Sequence, residues 1–142
     1  MPATTLPIAP ALLILRLSIG AFLAVWTSLK FYRPEWMANV YKVHVPLDFV
    51  GLNIATIAGI AQAILVTAFV LGLFRTPVYA AVTLMHATGI TTAALSGRLW
   101  NWTTFPNNLL WTSVATLGAL VALFLLRHGD AYTIDGWRSR LS

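Results

Sequence analysis

Four long apolar runs dominate the sequence and limit what the chain can fold into. Each is close to the roughly 20 residues that an α-helix needs to cross the hydrocarbon core of a bilayer. Hydrophobic residues make up 58% of the 142 residues and charged residues only 9%, whereas soluble domains carry charge at about a quarter of their positions. The sequence therefore predicts an all-α integral membrane protein: one four-helix bundle spanning residues 1–142, with helices near residues 10–31, 47–74, 78–95 and 109–126.

The connections between the runs indicate how the helices are joined. Arg75-Thr76-Pro77 alone separates the second run from the third, which predicts an antiparallel hairpin. The first connection contains Pro34-Glu35, typical of a first helical turn, and predicts a short helix lying in the membrane interface. The third connection is rich in tryptophan, as aromatic belts at membrane surfaces are. Six residues are predicted at the membrane surfaces: Lys30, Trp36, Arg75, Trp100, Trp102 and Trp111.

The basic residues give a prediction of topology and exclude one class of partner. Four crossings place both termini on one side of the membrane, and each side has four basic residues near the helix ends. Arg16 adds a fifth on the side of the termini if it reaches that surface, which favours cytoplasmic termini. The nine Lys and Arg residues are separated by apolar runs. They therefore predict contacts with lipid headgroups, and no nucleic-acid partner.

A narrow polar stripe runs along the first predicted helix. At about 100° per residue, Arg16, Gly20, Leu23, Thr27 and Lys30 fall on one side. Lys30 lies at the helix end, where its side chain can extend to the headgroups. Arg16 lies about two turns inside the run. It either extends to the surface or faces the interior of the bundle, where buried cations in membranes usually lie.

Gln62 and His86 are the polar side chains that lie deepest in the second and third runs. Gln62 is predicted to hydrogen bond between helices rather than to contact a ligand. His86 has two interpretations of equal weight: a hydrogen-bonded core residue, or a functional group that bonds a quinone carbonyl or accepts a proton. Heme is disfavoured because the runs contain no second histidine at membrane depth.

The residues assign no catalytic role and no metal site. The sequence contains no cysteine, which excludes a disulfide within the chain and a Cys-ligated cluster. Zinc-ligand spacings and phosphate-binding loops are also missing. Any electron transfer would therefore need a bound cofactor, a membrane quinone or a partner protein. Whether the chain is an enzyme stays open at this point.

The pattern as a whole resembles the DoxX family of small bacterial membrane proteins. The likeness lies in three segments: RLSIGAFLAVWTSLK (residues 16–30), LGLFRTPVYAAV (residues 71–82) and GDAYTIDGW (residues 129–137). The resemblance implies a four-helix bundle in the bacterial cytoplasmic membrane with polar side chains turned inward. Many members have a glutamate where this chain has Gln62. If that acid carries protons in the family, the resemblance implies that this chain lacks the step.

Three hypotheses for the function remain, and the first two draw on this resemblance. The first is an accessory or anchor subunit of a larger membrane redox complex, surrounded by lipid and bound to other subunits or to itself. The second is a quinone-binding subunit of a thiosulfate:quinone-type oxidoreductase, with Arg16, Gln62 and His86 as polar contacts and Trp26 as an apolar wall. The third is a small oligomeric transporter.

Overall fold

The computed structural model describes residues 7–35 and 52–141, and every regular element in these ranges is helical. The all-α prediction is therefore confirmed. Four long helices are joined to one short helix and two turns of 3₁₀ helix. They are α1 (Ile8–Tyr32), α2 (Leu52–Leu71), α3 (Arg75–Leu95), a 3₁₀ turn (Asn107–Leu109), α4 (Leu110–Leu125), a second 3₁₀ turn (Arg127–Gly129) and α5 (Ile134–Arg138).

Prolines mark both ends of α1. Pro10 lies in the first turn, where a missing N–H group removes no intrahelical hydrogen bond. Arg33 precedes Pro34 and leaves the helical conformation, with φ −138° and ψ 59°, because a proline disfavours the α region for the residue before it. Pro34 and Glu35 are again helical. The rest of the predicted interfacial helix, including Trp36, lies outside the described residues.

The turn between α2 and α3 lies three residues earlier than the sequence prediction placed it. Gly72 adopts φ +67° and ends α2. The N–H of Gly72 bonds the carbonyl of Phe69 (3.0 Å), and the N–H of Leu73 bonds that of Ala68 (2.9 Å). These are the two hydrogen bonds of a Schellman motif. Helix α3 then begins at Arg75 rather than at residue 78, since a proline is tolerated in a first helical turn.

Each long helix packs against two others. Helix α1 contacts α2 and α4, and α3 contacts the same two helices. Gly20 allows the close approach of α1 to α2, because a Cβ at this position would overlap the Val70 side chain. The shared core consists of Leu12, Ile19, Leu23, Val66, Phe69, Tyr79, Val82, Leu120 and Leu123.

The outward faces of the helices are strongly apolar. Ile14, Ile64, Leu84 and Leu125 each expose about two thirds of their surface, at 66–68%. Three helical segments in the described ranges are long and apolar enough to cross a membrane: Ile8–Tyr32, Arg75–Leu95 and Asn107–Leu125. The segment Thr56–Leu71 of α2 is apolar but shorter.

Candidate functional site

A buried ion pair joins the first helix to the end of the chain. Arg16 on α1 exposes 2% of its side chain and Asp130, just beyond the second 3₁₀ turn, exposes none. Nη1 of Arg16 donates a hydrogen bond to Oδ2 of Asp130 over 2.5 Å. Of the two positions predicted for Arg16, the interior one is therefore confirmed. Because the pair is buried, each charge depends on the other to offset its desolvation.

Tyr79 and a backbone carbonyl complete the surroundings of this pair. The Tyr79 hydroxyl, on α3, donates to Oδ2 of Asp130 (2.7 Å) and accepts from Nη1 of Arg16 (3.2 Å). Nη2 of Arg16 donates to the carbonyl of Tyr132. Two buried polar atoms of the pair, Nε of Arg16 and Oδ1 of Asp130, have no protein partner. We call Arg16, Tyr79 and Asp130 the buried triad.

The tail segment, residues 127–141, reaches the triad because it folds back onto the helices. Gly129 lies beside Ile8 and Leu12, and a Cβ there would be 3.3 Å from the Ile8 side chain. Nη1 of Arg75 donates to the carbonyls of Arg127 (3.2 Å) and Asp130 (3.0 Å). Arg75, predicted at the membrane surface, thus fixes the tail to the start of α3.

Thr133 and Asp135 secure the tail on the Gly72 turn. Thr133 Oγ1 accepts the N–H of Gly136 (2.8 Å) and thereby caps α5. Asp135 Oδ2 accepts the N–H of Arg75 (2.9 Å), the first residue of α3, where a negative charge also complements the helix dipole. The N–H of Asp135 in turn bonds the carbonyl of Gly72 (3.4 Å). The sequence segments 71–82 and 129–137 therefore form one contact around the triad.

His86 belongs to a second, separate group deeper in the helices. Its Nε2 lies 2.9 Å from the carbonyl oxygen of Ser113 on α4. Because a carbonyl oxygen only accepts, Nε2 carries hydrogen, and a neutral ring keeps Nδ1 as an acceptor. The His86 ring meets Phe22 edge-on at 5.9 Å between centroids, and Phe22 lies 6.4 Å from Trp26. His86 is thus a half-buried imidazole between α1 and α4.

The four residues predicted to share a quinone site divide between these two groups. Tyr79 and His86 are seven residues apart on α3, or about 10 Å along the axis at 1.5 Å per residue. Arg16 belongs to the triad, whereas Trp26 and His86 both contact the Phe22 ring. Gln62 is half-buried on α2, and among the described residues no hydrogen bond or ring contact joins it to either group. Their assignment to a cofactor stays a prediction.

The residues predicted at the membrane surfaces occupy different environments. Trp100, Trp102 and Trp111 expose 67%, 60% and 44% of their surface, at the end of the molecule opposite the triad. Lys30 exposes only 5%, because its stem packs beside Gly59 on α2. Its predicted contact with lipid headgroups stays a prediction.

Two members of the triad were not among the residues singled out from the sequence. They are Tyr79 and Asp130. A charge argument from the sequence narrows the partner of Arg16 to two acids, since a cation buried inside a membrane bundle commonly pairs with an acidic side chain. Only Asp130 and Asp135 lie on the same predicted side of the membrane as Arg16.

The triad has the geometry of a structural clamp, in which Nε of Arg16 and Oδ1 of Asp130 are the buried side-chain atoms without a protein partner among the described residues. Oδ2 of Asp130 accepts from both partners, and Arg16 is bound to the tail through both terminal nitrogens. Within residues 7–35 and 52–141, no three His, Cys, Asp or Glu side chains come together in a metal-binding group. Comparisons with family models, curated proteins and solved structures give no significant match.

Proposed function

We propose that the chain is a four-helix membrane bundle of the DoxX type, acting as an accessory or anchor subunit of a larger bacterial membrane redox complex. The observation that carries the proposal is the distribution of polar and apolar side chains, which is the reverse of that in a water-soluble protein. Arg16 and Asp130 lie at 2% and 0% side-chain exposure, while apolar side chains such as Ile64 and Leu84 lie outside at 67%. This arrangement suits a hydrocarbon solvent, in which charges are buried and paired and aliphatic side chains face outward.

An accessory role follows from how the buried polar groups are used. Most of the polar side-chain atoms of the triad bond one another or the tail segment, and the hydrogen bonds of Arg75 and Asp135 hold the same contact. The buried ion pair and these hydrogen bonds therefore serve to hold the chain's own helices and tail segment together. What remains outside is a large apolar and aromatic surface, which suits packing against lipid and against other membrane subunits.

The His86 group supports quinone binding as a second candidate function. Phe22 and Trp26 offer aromatic walls, and a neutral His86 offers Nδ1 as an acceptor for a hydroquinone hydroxyl. Ligand sites of this class are mostly apolar, with a few fixed polar groups. In this candidate site, Arg16 and Gln62 do not contact the quinone.

Native mass spectrometry of the protein released from its own membrane in mild detergent tests both candidates. We expect the chain to carry further protein subunits of defined mass, because an accessory subunit is held by its partners. The same sample in a harsh detergent is the control, since specific partners dissociate there. A chain that is stable alone, with activity of its own, contradicts the accessory role.

The same spectra decide on the second candidate. Quinone binding at His86 predicts a quinone-sized adduct that is lost in His86→Ala and retained in His128→Ala, since His128 is an exposed histidine outside the group. An adduct that survives His86→Ala places the ligand elsewhere.

A further inference from the structure

A cationic depression lies on the surface just outside the triad, at the start of α3. It encloses about 260 Å³, and its lining includes Phe74, Arg75, Thr76, Arg127, His128 and Asp135. Two of these side chains are guanidinium groups and one is an imidazole. The depression is therefore built from side chains of the α2–α3 turn and the tail segment, which the contacts of Arg75 hold together.

Both guanidinium groups are held in place while most of their charge stays uncompensated. Arg75 is positioned by two backbone carbonyls through Nη1. Arg127 donates from Nε to the Thr76 hydroxyl (3.2 Å) and from Nη1 to the carbonyl of Phe124 (2.8 Å). Among the described residues, neither guanidinium group has a carboxylate oxygen within 4.0 Å of its nitrogens. The ion pair found in these residues joins Arg16 to Asp130. Nη2 of each arginine keeps its donors for another acceptor.

The local charge favours an anion. At this end of the described chain are five arginines and two aspartates, a net charge of +3. Asp130 is neutralised by Arg16, and Asp135 is turned toward the backbone N–H of Arg75. Guanidinium forks match the geometry of phosphate oxygens, and fixed donors lose less conformational freedom on binding than flexible ones.

The rim of the depression is apolar. Phe74 exposes 63% of its surface, and Pro77 is the second apolar residue of the lining. Leu125 and Leu126, which precede Arg127 in the sequence, expose 68% and 51%. A phosphate held by Arg75 and Arg127 would thus lie beside surfaces that suit acyl chains. We propose that this depression binds the phosphate group of an anionic phospholipid headgroup. The proposal rests on the membrane location proposed above.

Lipid retention by the detergent-purified protein tests the site. The full chain is delipidated, incubated with phosphatidylglycerol or phosphatidylcholine, and examined by native mass spectrometry. We expect selective retention of phosphatidylglycerol and an approximately tenfold loss in the Arg127→Gln/His128→Gln double variant, which removes charge-assisted hydrogen bonds and leaves Arg75 and its tail contacts intact. Arg138→Gln is the matched control, because Arg138 is an exposed arginine at the same end but outside the depression.

Other outcomes overturn the proposal in distinguishable ways. An equal loss in Arg138→Gln indicates diffuse attraction rather than a site. Displacement of the lipid by excess inorganic phosphate, without preference for phosphatidylglycerol, identifies a soluble phosphate compound as the ligand. Equal retention of both lipids by a protein recovered from membranes contradicts the site alone, whereas recovery in the soluble fraction contradicts the proposed membrane location itself.

Discussion

Replacing Asp130 with asparagine is expected to lower the free energy of unfolding by about 3–5 kcal/mol, because Arg16 is left as a buried charge without a counter-charge. Both side chains are almost fully buried, so solvent cannot take over the lost interaction. The Tyr79 hydroxyl retains an acceptor in the asparagine, so the loss reports mainly on charge. Thermal and chemical unfolding of the purified protein in detergent measures the effect.

The same variant is expected to release the tail segment. Because Arg16 also bonds the carbonyl of Tyr132, loss of the pair loosens the chain up to α5. Trypsin should then cleave after Arg138 and Arg140 faster than in the parent protein. Glu35→Gln is the control, since this exposed acid should change stability by no more than about 0.5 kcal/mol. Near-parent stability of Asp130→Asn contradicts the clamp.

Replacing Gly72 with alanine is expected to lower the free energy of unfolding by about 2–5 kcal/mol, from two additive causes. The φ of +67° disfavours a residue with a Cβ. The added Cβ would also lie 2.5 Å from Cβ of Thr133 and 3.1 Å from Nη1 of Arg16. It would therefore push the tail segment away from Arg16. Unfolding in detergent measures the loss.

Gly97→Ala separates these two causes. Gly97 has a similar φ of +76°, but a Cβ there would have no atom within 4 Å. It should show only the conformational cost, about 1–2 kcal/mol. Equal losses at the two glycines mean that the contact between Gly72 and Thr133 contributes nothing.

The helices were predictable from the sequence because long apolar runs bounded by proline and glycine leave few alternatives. The ends of α1 agree with the prediction to within two residues. The start of α3 was wrong because Arg75-Thr76-Pro77 was interpreted as a turn. Gly72 was the better signal for the end of α2, since a glycine there permits the left-handed conformation that a Schellman motif requires.

Only one of the three triad residues was predictable from the sequence. Arg16 stands out because a charge inside an apolar run is rare, whereas Asp130 lies in a polar segment and looks like any loop acid. Only the fold of the tail segment brings the two together, across 114 positions of sequence. Arg16 and His86 lie in separate groups for a similar reason. Which residues of two packed helices are neighbours depends on how far one helix is shifted along the other, and that shift is set by the fold.

The central claim of the proposed function is that the chain crosses the membrane four times, with the tail segment on the opposite side from the tryptophan-rich loop. Because the sequence lacks cysteine, single-cysteine variants can be labelled without background. Leu141→Cys and Thr103→Cys replace exposed residues in the tail and in that loop. With cytoplasmic termini, a membrane-impermeant maleimide should label Thr103→Cys in intact cells and Leu141→Cys only after permeabilisation. Equal labelling of both variants before permeabilisation would contradict the claim.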